Sequence, residues 1–593
     1  MSLSQKICIC LIAFSLLLLP SQSVCQSEQQ QDEVNAIFSA MKDELDRSMS
    51  MLQMENLEKP YYISYKIQED ISSAISASFG ALNSSNHNKS RILAVDVRVG
   101  DYSFDNRNFS DFGSARLSVA LSTLDTDYSV IRQDLWRATD LAYKNALEMI
   151  TKKRAAIQTQ EIEEKIDDFE KIEPISSVEV QPIVTIDKTE WETRLKRLSE
   201  IFKDFMNLDE THLDFRANFS RHFFLNSEER KFHFSELIIS LDVFIAGRAE
   251  DGAKVINAKS FHARSLNDFP SETELADQIR ALAEETELLR SSPVMEDYDG
   301  PILLKGEPAA EFFILFLTDD LSDNRAPIME DPRYQSLASQ SKLSRKLNRR
   351  VASDLISAVD DPTMTHFNGI PMIGTYSIDD EGVAPKPLPI IEDGILKNYY
   401  MSRIPTKHFS HSNGHGRANI VYGYIPVGRI GNLIISANNG LSPDSLKKEF
   451  IQLCRDEGLE YGIMISRFLS PAHASTASNM GFPSSYRPYA SSDIFVPIMA
   501  YKVYVDDGRE ELIRGFEIID VKVRLMRDIL YAGNDAAVYN YFDFGPSGRI
   551  AATVVAPSIV LEEVELRKIQ QKPMKAPLLK NPYIKKYIPI PDF

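Results

Sequence analysis

Three closely spaced histidines could bind a metal ion. His408, His411 and His415 are separated by three and four residues, which on one helix would align their imidazoles to chelate a metal ion. Gly414 and Gly416 interrupt any helix there. The competing interpretation, which the glycines favour, is a loop whose histidines are exposed or hydrogen-bonded.

A second candidate is the run of three carboxylates at Asp379, Asp380 and Glu381. Adjacent carboxylates could bind a cation or the amino terminus of a peptide. Acidic residues beside a glycine are also typical of turns between strands, and this structural interpretation is the favoured one.

Other catalytic signatures are missing from the sequence. It contains no Gly-x-Ser-x-Gly nucleophile elbow and no phosphate-binding glycine loop. The cysteines are too few for a cysteine-rich zinc site or a disulfide framework. Cys454 is expected to be a buried small apolar residue rather than a nucleophile.

Length and charge limit the classes of protein that fit. The chain has 593 residues, with 66 Lys and Arg against 85 Asp and Glu, and a net charge of -19. A length of this size predicts two to four domains at roughly 100–200 residues each. The acidic excess argues against nucleic-acid binding, because a phosphate backbone requires a basic surface.

The first 25 residues have the order of a secretory signal peptide. Lys6 precedes the apolar stretch 7–19, and small polar residues follow. We expect residues 1–25 to be removed by cleavage after Ser23 or Cys25, and the mature chain to be exported to the periplasm or the medium. A lipid anchor on Cys25 and an uncleaved anchor helix are the alternatives.

Residues 26–295 are predicted to form an N-terminal domain of amphipathic helices and antiparallel strands, of the α+β class. Strands are expected over 61–69, 71–82 and 91–100, with a turn at 83–86. Further strands are predicted over 212–225, 231–246 and 255–264, joined by a turn at 226–229, and helices over 34–52, from Ser129, over 188–206 and over 271–289.

Residues 296–567 are predicted to form a β-rich C-terminal domain, after a polar break at 293–300. Its expected helices cover 309–317, 341–357 and 442–457. Residues 568–593 form a basic, proline-rich tail, interpreted as a surface tail or as an arm that packs on a neighbour or a membrane.

An ordered series of motifs in the second half resembles the C-terminal half of the TldD/PmbA family, the modulator-of-gyrase or TldD-related metallopeptidases. The resemblance is strong over 351–566 and weaker before it. The residues that carry it are Asp379–Gly382, Ile390–Tyr399, Asn413–Arg417, Gly431–Ile435, Gly440–Ser442 and Ala556–Val560.

The resemblance implies a zinc peptidase fold, but the metal ligands do not carry over. Active members hold zinc with a His-Glu-x-x-x-His helix and a late cysteine. The matching helix is 309–320, where the ligand positions fall near Leu315, Phe316 and Asp320, and no cysteine follows Cys454. We therefore predict no cofactor, although catalytic members use zinc.

Three functions remain open: a metal-free, non-catalytic subunit paired with a TldD-like chain, a peptide-binding scaffold, and a divergent peptidase with a non-standard site. Whether the chain is an enzyme is left uncertain. Expected partners are a peptide or protein and a homodimer or TldD-like heterodimer, with membrane contact only through the signal or tail. The candidate peptide-binding residues are Asp379, Asp380, Glu381, Gly414, Gly416 and Arg417.

Overall fold

The computed structural model describes residues 28–111, 116–159, 166–337, 341, 343–469 and 496–569. The predicted signal peptide and residues 570–593 of the predicted tail lie outside these ranges. The helices are α1 (28–51), α2 (Tyr128–Thr159), α3 (Lys188–Glu200), α4 (Glu272–Ser291), α5 (Glu307–Leu317) and α6 (Pro443–Asp456).

A seven-stranded sheet dominates the first half, with strands in the order β4-β2-β1-β6-β7-β5 and β8 paired to β7. Two long antiparallel hairpins, β1–β2 and β6–β7, form its centre. The strands to this point are β1 (Pro60–Ser78), β2 (Ala81–Val99), β3 (Phe109–Ser110), β4 (Ser118–Ser122), β5 (Ile175–Val178), β6 (Leu208–Asn226), β7 (Arg230–Arg248) and β8 (Lys254–Ala263).

The first hairpin corrects the predicted strands. The chain reverses at Phe79 and Gly80, which both have positive φ values of 46° and 79°, as in the two-residue turns that match strand twist. Residues 83–86, predicted to be a turn, are paired within β2. Their polar composition reflects the exposed position of this strand end rather than a reversal. The turn predicted at 226–229 is confirmed.

All four N-terminal helices that pack on this sheet use its same face. The first and second cover Ile63, Tyr65 and Ile67 of β1, while α3 and α4 cover Ile75 and neighbouring strands. Side chains alternate between the two faces of a strand, and within the described residues the other face of the sheet carries no helix.

Two mixed sheets build the second half. One has the order β15-β14-β11-β18-β25-β24, and the other has the order β21-β20-β19-β9-β26-β22 with β23 paired to β26. The strands are β9 (Tyr298–Leu304), β10 (Ile328–Met329), β11 (Ile356–Asp360), β12 (His366–Phe367), β13 (Ile370–Pro371), β14 (Leu388–Glu392), β15 (Ile395–Leu396), β16 (Gly416–Arg417), β17 (Val427–Gly428), β18 (Asn432–Ala437), β19 (Tyr461–Phe468), β20 (Pro497–Tyr504), β21 (Glu510–Ile513), β22 (Phe516–Ile518), β23 (Ile529–Ala532), β24 (Ala537–Gly545), β25 (Gly548–Ala556) and β26 (Ile559–Lys568).

Helix α5 lies in the core shared by these two sheets. It contacts β9, β19, β24 and β25, and its apolar side chains join the largest cluster of buried residues. Pro308 stands in its first turn, where the missing N–H costs nothing. Cys454 of α6 is fully buried, as predicted, and burial raises the pKa of its thiol to about 12.

The helix predicted over 341–357 is wrong. The described residues of this stretch form turns, with Asn348 in the left-handed region, and then strand β11. Leu343, Val351 and Ile356 are buried in the large core along an irregular path. Their tertiary contacts outweigh the helical preference of the basic residues between them.

The α+β class is confirmed, with helices on an antiparallel sheet in the first half and a β-rich second half. The strands divide near the predicted boundary, since α4 ends at Ser291 and β9 begins at Tyr298. The domain bounds themselves stay predictions. Among the described residues, no helix has both the length and the apolar character needed to cross a membrane.

A capping box fixes the start of α4. The Ser271 hydroxyl accepts from Glu274 N, and the Glu274 carboxylate accepts from Ser271 N. Replacing Ser271 with Ala should lower the free energy of unfolding by about 1 kcal/mol, measured by urea denaturation. Ser271→Thr keeps the hydroxyl and should lose clearly less, so equal losses in both variants would contradict this role.

Candidate functional site

The helix-free face of the first sheet is polar and lines a cavity. Along β6, alternate side chains point either into the helical core or toward the second half. The core set is Leu213, Phe215, Ala217 and Phe219, and the cavity set is Arg216, Asn218, Ser220 and His222. Polar side chains that are shielded from water need hydrogen-bond partners. This pattern therefore indicates a surface that contacts polar groups of another segment or of a ligand.

His222 is held on this face by neighbours from β7. Its Nε2 lies 3.2 Å from Glu236 Oε1, and its ring stacks on Phe234 with centroids 4.6 Å apart. Burial alone would lower the pKa of His222, but the hydrogen bond and charge of Glu236 raise it. The pair therefore favours the protonated imidazole.

The predicted acidic turn forms the opposite wall. Asp379 Oδ1 accepts from Glu381 N at 2.9 Å and from Val383 N at 2.8 Å, which closes the turn. Its Oδ2 accepts from Gly416 N at 2.9 Å. Asp380 Oδ2 accepts from Ala418 N at 2.8 Å. The turn interpretation thus has a structural basis, and Asp379 and Asp380 also border the cavity.

Gly414 and Gly416 are required by close packing at this turn. Gly414 has φ +77°, and a Cβ there would lie 2.5 Å from Pro385 Cα. At Gly416 a Cβ would collide with the carboxylate of Glu381. The two glycines therefore let the β16 segment approach the acidic turn.

The guanidinium of Arg417 lines the cavity and is held in place by its neighbours. It lies 4.5 Å above the ring of Tyr376, and its Nη1 donates to Ala551 O at 2.9 Å and Ile430 O at 3.2 Å. The Tyr376 hydroxyl donates to Gly414 O at 3.0 Å. The predicted residues Asp379, Asp380 and Arg417 therefore share one cavity.

The three histidines do not converge. His408 Nδ1 lies 3.1 Å from Asp323 Oδ2, His411 Nδ1 lies 2.9 Å from Glu170 Oε1, and the buried His415 Nε2 lies 3.3 Å from Asp360 Oδ1. The stretch between them is irregular rather than helical. Within the part of the chain that the structure describes, no three His, Cys, Asp or Glu side chains are grouped to hold a metal.

The zinc positions implied by the family resemblance do not fit a metal. Leu315 and Phe316 carry no donor atom, and Asp320 lies beyond the end of α5 in a 3-10 turn. A tetrahedral zinc site needs three or four nitrogen, sulfur or oxygen ligands. This helix therefore supplies core packing where catalytic relatives supply ligands.

Two cavities lie along the polar cleft. The first, of about 430 Å³, is bounded by β6, β7 and the acidic turn. The second, of about 680 Å³, extends toward the start of α5. Arg216, Phe542 and Arg549 line both, so the cavities adjoin at one wall.

An aromatic ring between two arginines joins the halves beside this cleft. The guanidinium carbons of Arg98 and Arg403 lie 3.5 and 3.9 Å from the ring centroid of Phe169. Arg98 pairs with Asp105 at 3.0 Å, and Arg403 Nη2 pairs with Glu228 Oε1 at 2.8 Å. All of these side chains are buried, so the contact is desolvated and strong.

Several cleft residues were missed by sequence reasoning. The alternation of polar and apolar residues along β6 was a usable signal for Arg216 and His222. Glu236 carried the same signal on β7. No sequence pattern marks Phe169 or Arg403, because their roles arise from contacts between segments more than 200 residues apart.

Asp379 and Glu381 are buried carboxyls that disfavour each other's charge. Burial, and then the charge of Glu381, raises the pKa of Asp379 to about 8. Burial likewise raises the pKa of Glu381, although Arg403 opposes the shift. A carboxyl whose pKa rises on folding stabilises the protein below its unfolded value, about 4, and this stabilisation is lost as the pH rises toward the folded value.

Glu381→Gln tests this pair. In the wild type the free energy of unfolding should fall between pH 5 and 8, with a contribution of up to about 1.4 kcal/mol per pH unit. The variant removes one buried charge but keeps a side-chain oxygen that accepts from Arg403 N. Its unfolding free energy should therefore change less steeply with pH than that of the wild type. Urea unfolding across this pH range measures both, and equal slopes would contradict the coupling.

Comparisons with known proteins agree with this fold. Residues 333–568 match the family model of the PmbA/TldA metallopeptidase C-terminal domain. A protein of Archaeoglobus fulgidus named metalloprotease is 33% identical over 120 residues, which cover 20% of this chain and 25% of that protein. A metalloprotease TldD homolog of Buchnera aphidicola subsp. Schizaphis graminum is 26% identical over 227 residues, which cover 38% of this chain and 41% of that protein.

The matched stretches thus span less than half the length of either relative. The solved structure of TldE from Thermococcus kodakarensis superimposes with a TM-score of 0.58 at 14% identity, covering 89% of this chain and all of that one. At this identity the likeness concerns the fold. The family match and the relatives support membership of the TldD/PmbA family, and the fold agrees with it.

Proposed function

We propose that this protein is an exported, metal-free member of the family that binds peptides and serves as the non-catalytic partner of a zinc-bearing chain. The observation that carries the proposal is the combination of a polar cleft with apolar side chains, Leu315 and Phe316, at the implied ligand positions. The binding surface is kept while the metal chemistry is absent from this helix.

The cleft suits a peptide in chemical character. Its first cavity, at about 430 Å³, lies within the roughly 300–1,000 Å³ typical of ligand sites. Ser72, Asn218 and Ser220 on one wall, with Asn419 on the other, can hydrogen-bond to a peptide backbone from both sides. Phe234 and other aromatic side chains that line the cavity provide apolar contact.

Charged groups of both signs can orient the ligand. Asp380 and Glu236 are suited to a terminal amine, and Arg216 is suited to a carboxylate. Arg216 Nη1 is 3.0 Å from Asp242 Oδ2, so an incoming anion would compete with that carboxylate. A ligand with separated charges, such as a short peptide, fits this arrangement better than an apolar molecule.

A partner is required if zinc-dependent cleavage follows binding. Hydrolysis of a peptide by a metal-bound water needs a ligand set that α5 does not supply. A TldD-like subunit with a His-Glu-x-x-x-His helix would bring it, and the family relationship supports such a pairing. The proposal of export rests on the first 25 residues, and the site of action is then periplasmic or extracellular.

Metal analysis coupled to a peptidase assay tests the proposal. The purified mature chain should contain zinc well below one ion per chain, and its peptide cleavage should stay at background with or without a chelator. Stoichiometric zinc with chelator-sensitive cleavage would contradict the metal-free reading. Cleavage that a chelator does not affect would favour a divergent peptidase instead.

Copurification from the native host tests the partner. A tagged mature chain should retain a relative that carries His-Glu-x-x-x-His, and the retained pair should cleave peptides in a chelator-sensitive way. Arg549→Glu, which reverses a charge in the cleft but not in the core, should weaken peptide cleavage by the pair. A chain that runs alone and retains no such relative would contradict the partner role.

A further inference from the structure

The second cavity has an unusual buried acid in its wall. Glu311 is 3% exposed and stands on α5, whose other described side chains between Pro308 and Leu317 are apolar. Glu307, one turn earlier, borders the same cavity. A buried carboxyl without a compensating charge is costly unless it is neutral or meets a cation.

No cation of the described chain pairs with either carboxyl. Arg467 is the guanidinium from β19 that influences Glu311, but its Nη1 donates to Asn257 Oδ1 at 2.7 Å and Glu285 Oε2 at 2.6 Å. Burial first, and then the charge of Glu307, raise the pKa of Glu311 well above its usual value, against a hydrogen bond from Tyr539 and the charge of Arg467.

Aromatic rings complete the walls around these carboxyls. Tyr539 and Tyr541 of β24 stack with centroids 5.7 Å apart, and Phe468 lines the same cavity. Ring faces attract cations, and more strongly where water is excluded. Two carboxyls and several aromatic rings that line one cavity have the chemistry that recognises an ammonium or guanidinium group.

The remaining charges of the cavity are mostly paired within the protein. Arg216 pairs with Asp242, and Lys259 donates to Gln278 at 3.0 Å. Arg549 is the exception, since its guanidinium lies 3.6 Å above Phe542 and donates no hydrogen bond to a described residue. Its charge lies at the wall shared with the first cavity, so it directs a ligand cation away from that wall and toward α5.

We propose that the second cavity is a subsite for a lysine or arginine side chain of the bound peptide, held by Glu311 and Glu307 against the aromatic rings of β24. This inference rests on the proposed peptide-binding function and specifies the residue class it selects. The ligand side chain supplies the positive charge that Glu311 and Glu307 do not receive from the described residues of the protein.

Binding should be linked to loss of a proton. The groups that face Glu311 are Glu307 of its own helix, Tyr539 of β24 and Arg467 of β19, with His262 of β8 and Arg549 of β25 further along the wall. A ligand ammonium favours the ionised form of Glu311, so its proton is released on binding. Affinity for a cationic peptide should therefore rise with pH.

Calorimetric titration with two capped peptides tests this subsite. The probes are acetyl-Ala-Ala-Lys-Ala-Ala-amide and the same peptide with norleucine in place of lysine, which differ only in the terminal ammonium group. The lysine peptide should bind about tenfold or more tightly than the norleucine peptide at pH 8. The difference should shrink at pH 5.5, because the raised pKa of Glu311 makes its ionised form less favourable as the pH falls.

Glu311→Gln should abolish both the preference for the lysine peptide and the pH dependence of that preference. The amide resembles the protonated acid in shape and charge, so the fold should be kept, which thermal unfolding checks. Glu307→Gln, in a less buried position, should lose part of the preference. Glu284→Gln, an exposed carboxylate on α4 outside both cavities, is the matched control and should keep all of it.

The outcomes separate the subsite from the proposed function. Equal binding of both peptides, or a preference that survives Glu311→Gln, would overturn the subsite while peptide binding stands. A wild-type chain that binds neither peptide would contradict the proposed function, and the subsite with it.

Discussion

The contact of Arg98 and Arg403 with the two faces of Phe169 is the constraint on which the cleft depends. Arg98 comes from the first sheet, and Arg403 comes from the second half of the chain. Each guanidinium is buried and neutralised by its own carboxylate, Asp105 or Glu228. Removing one partner from such a pair typically costs about 3–5 kcal/mol, because the other charge stays buried. The two halves are therefore held in one relative position, and the cleft between them is a fixed feature of the fold.

The relative position of the two halves explains why polar side chains can occupy the face of the first sheet that lines the cleft. Within the described residues helices cover only the other face, His222 feels the charge of Asp380 in the acidic turn, and the half-exposed Arg216 pairs with Asp242. The same turn is tied to β16 through Asp379 and Gly416. Sheet, turn and the β24–β25 hairpin thus form the walls of one cleft. In this arrangement α5 has two roles, since its apolar side chains fill the core between two sheets while Glu311 reaches the cleft.

The sequence could predict the α+β class and most long elements, because these depend on local periodicity. Prediction from the sequence failed where tertiary contacts determine the local structure. Residues 83–86 have the composition of a turn but belong to a strand, since Gly80 already supplies the reversal. The stretch 341–357 has helical composition, yet Leu343 and Val351 are drawn into the core. At the site, Asp379, Asp380 and Arg417 could be predicted from a motif series. Phe169, Arg403 and Glu311 could not, because their importance lies in distant neighbours and in burial.

Photo-cross-linking shows whether a peptide binds in this cleft. A lysine-containing pentapeptide that carries benzoylphenylalanine would be irradiated with the mature chain, and the attachment sites would be mapped by mass spectrometry. Adducts are expected on the cavity faces of β6, β7 and β24, and they should be lost in competition with unlabelled peptide. Adducts confined to the helical side of the first sheet, on α1 to α4, would contradict it.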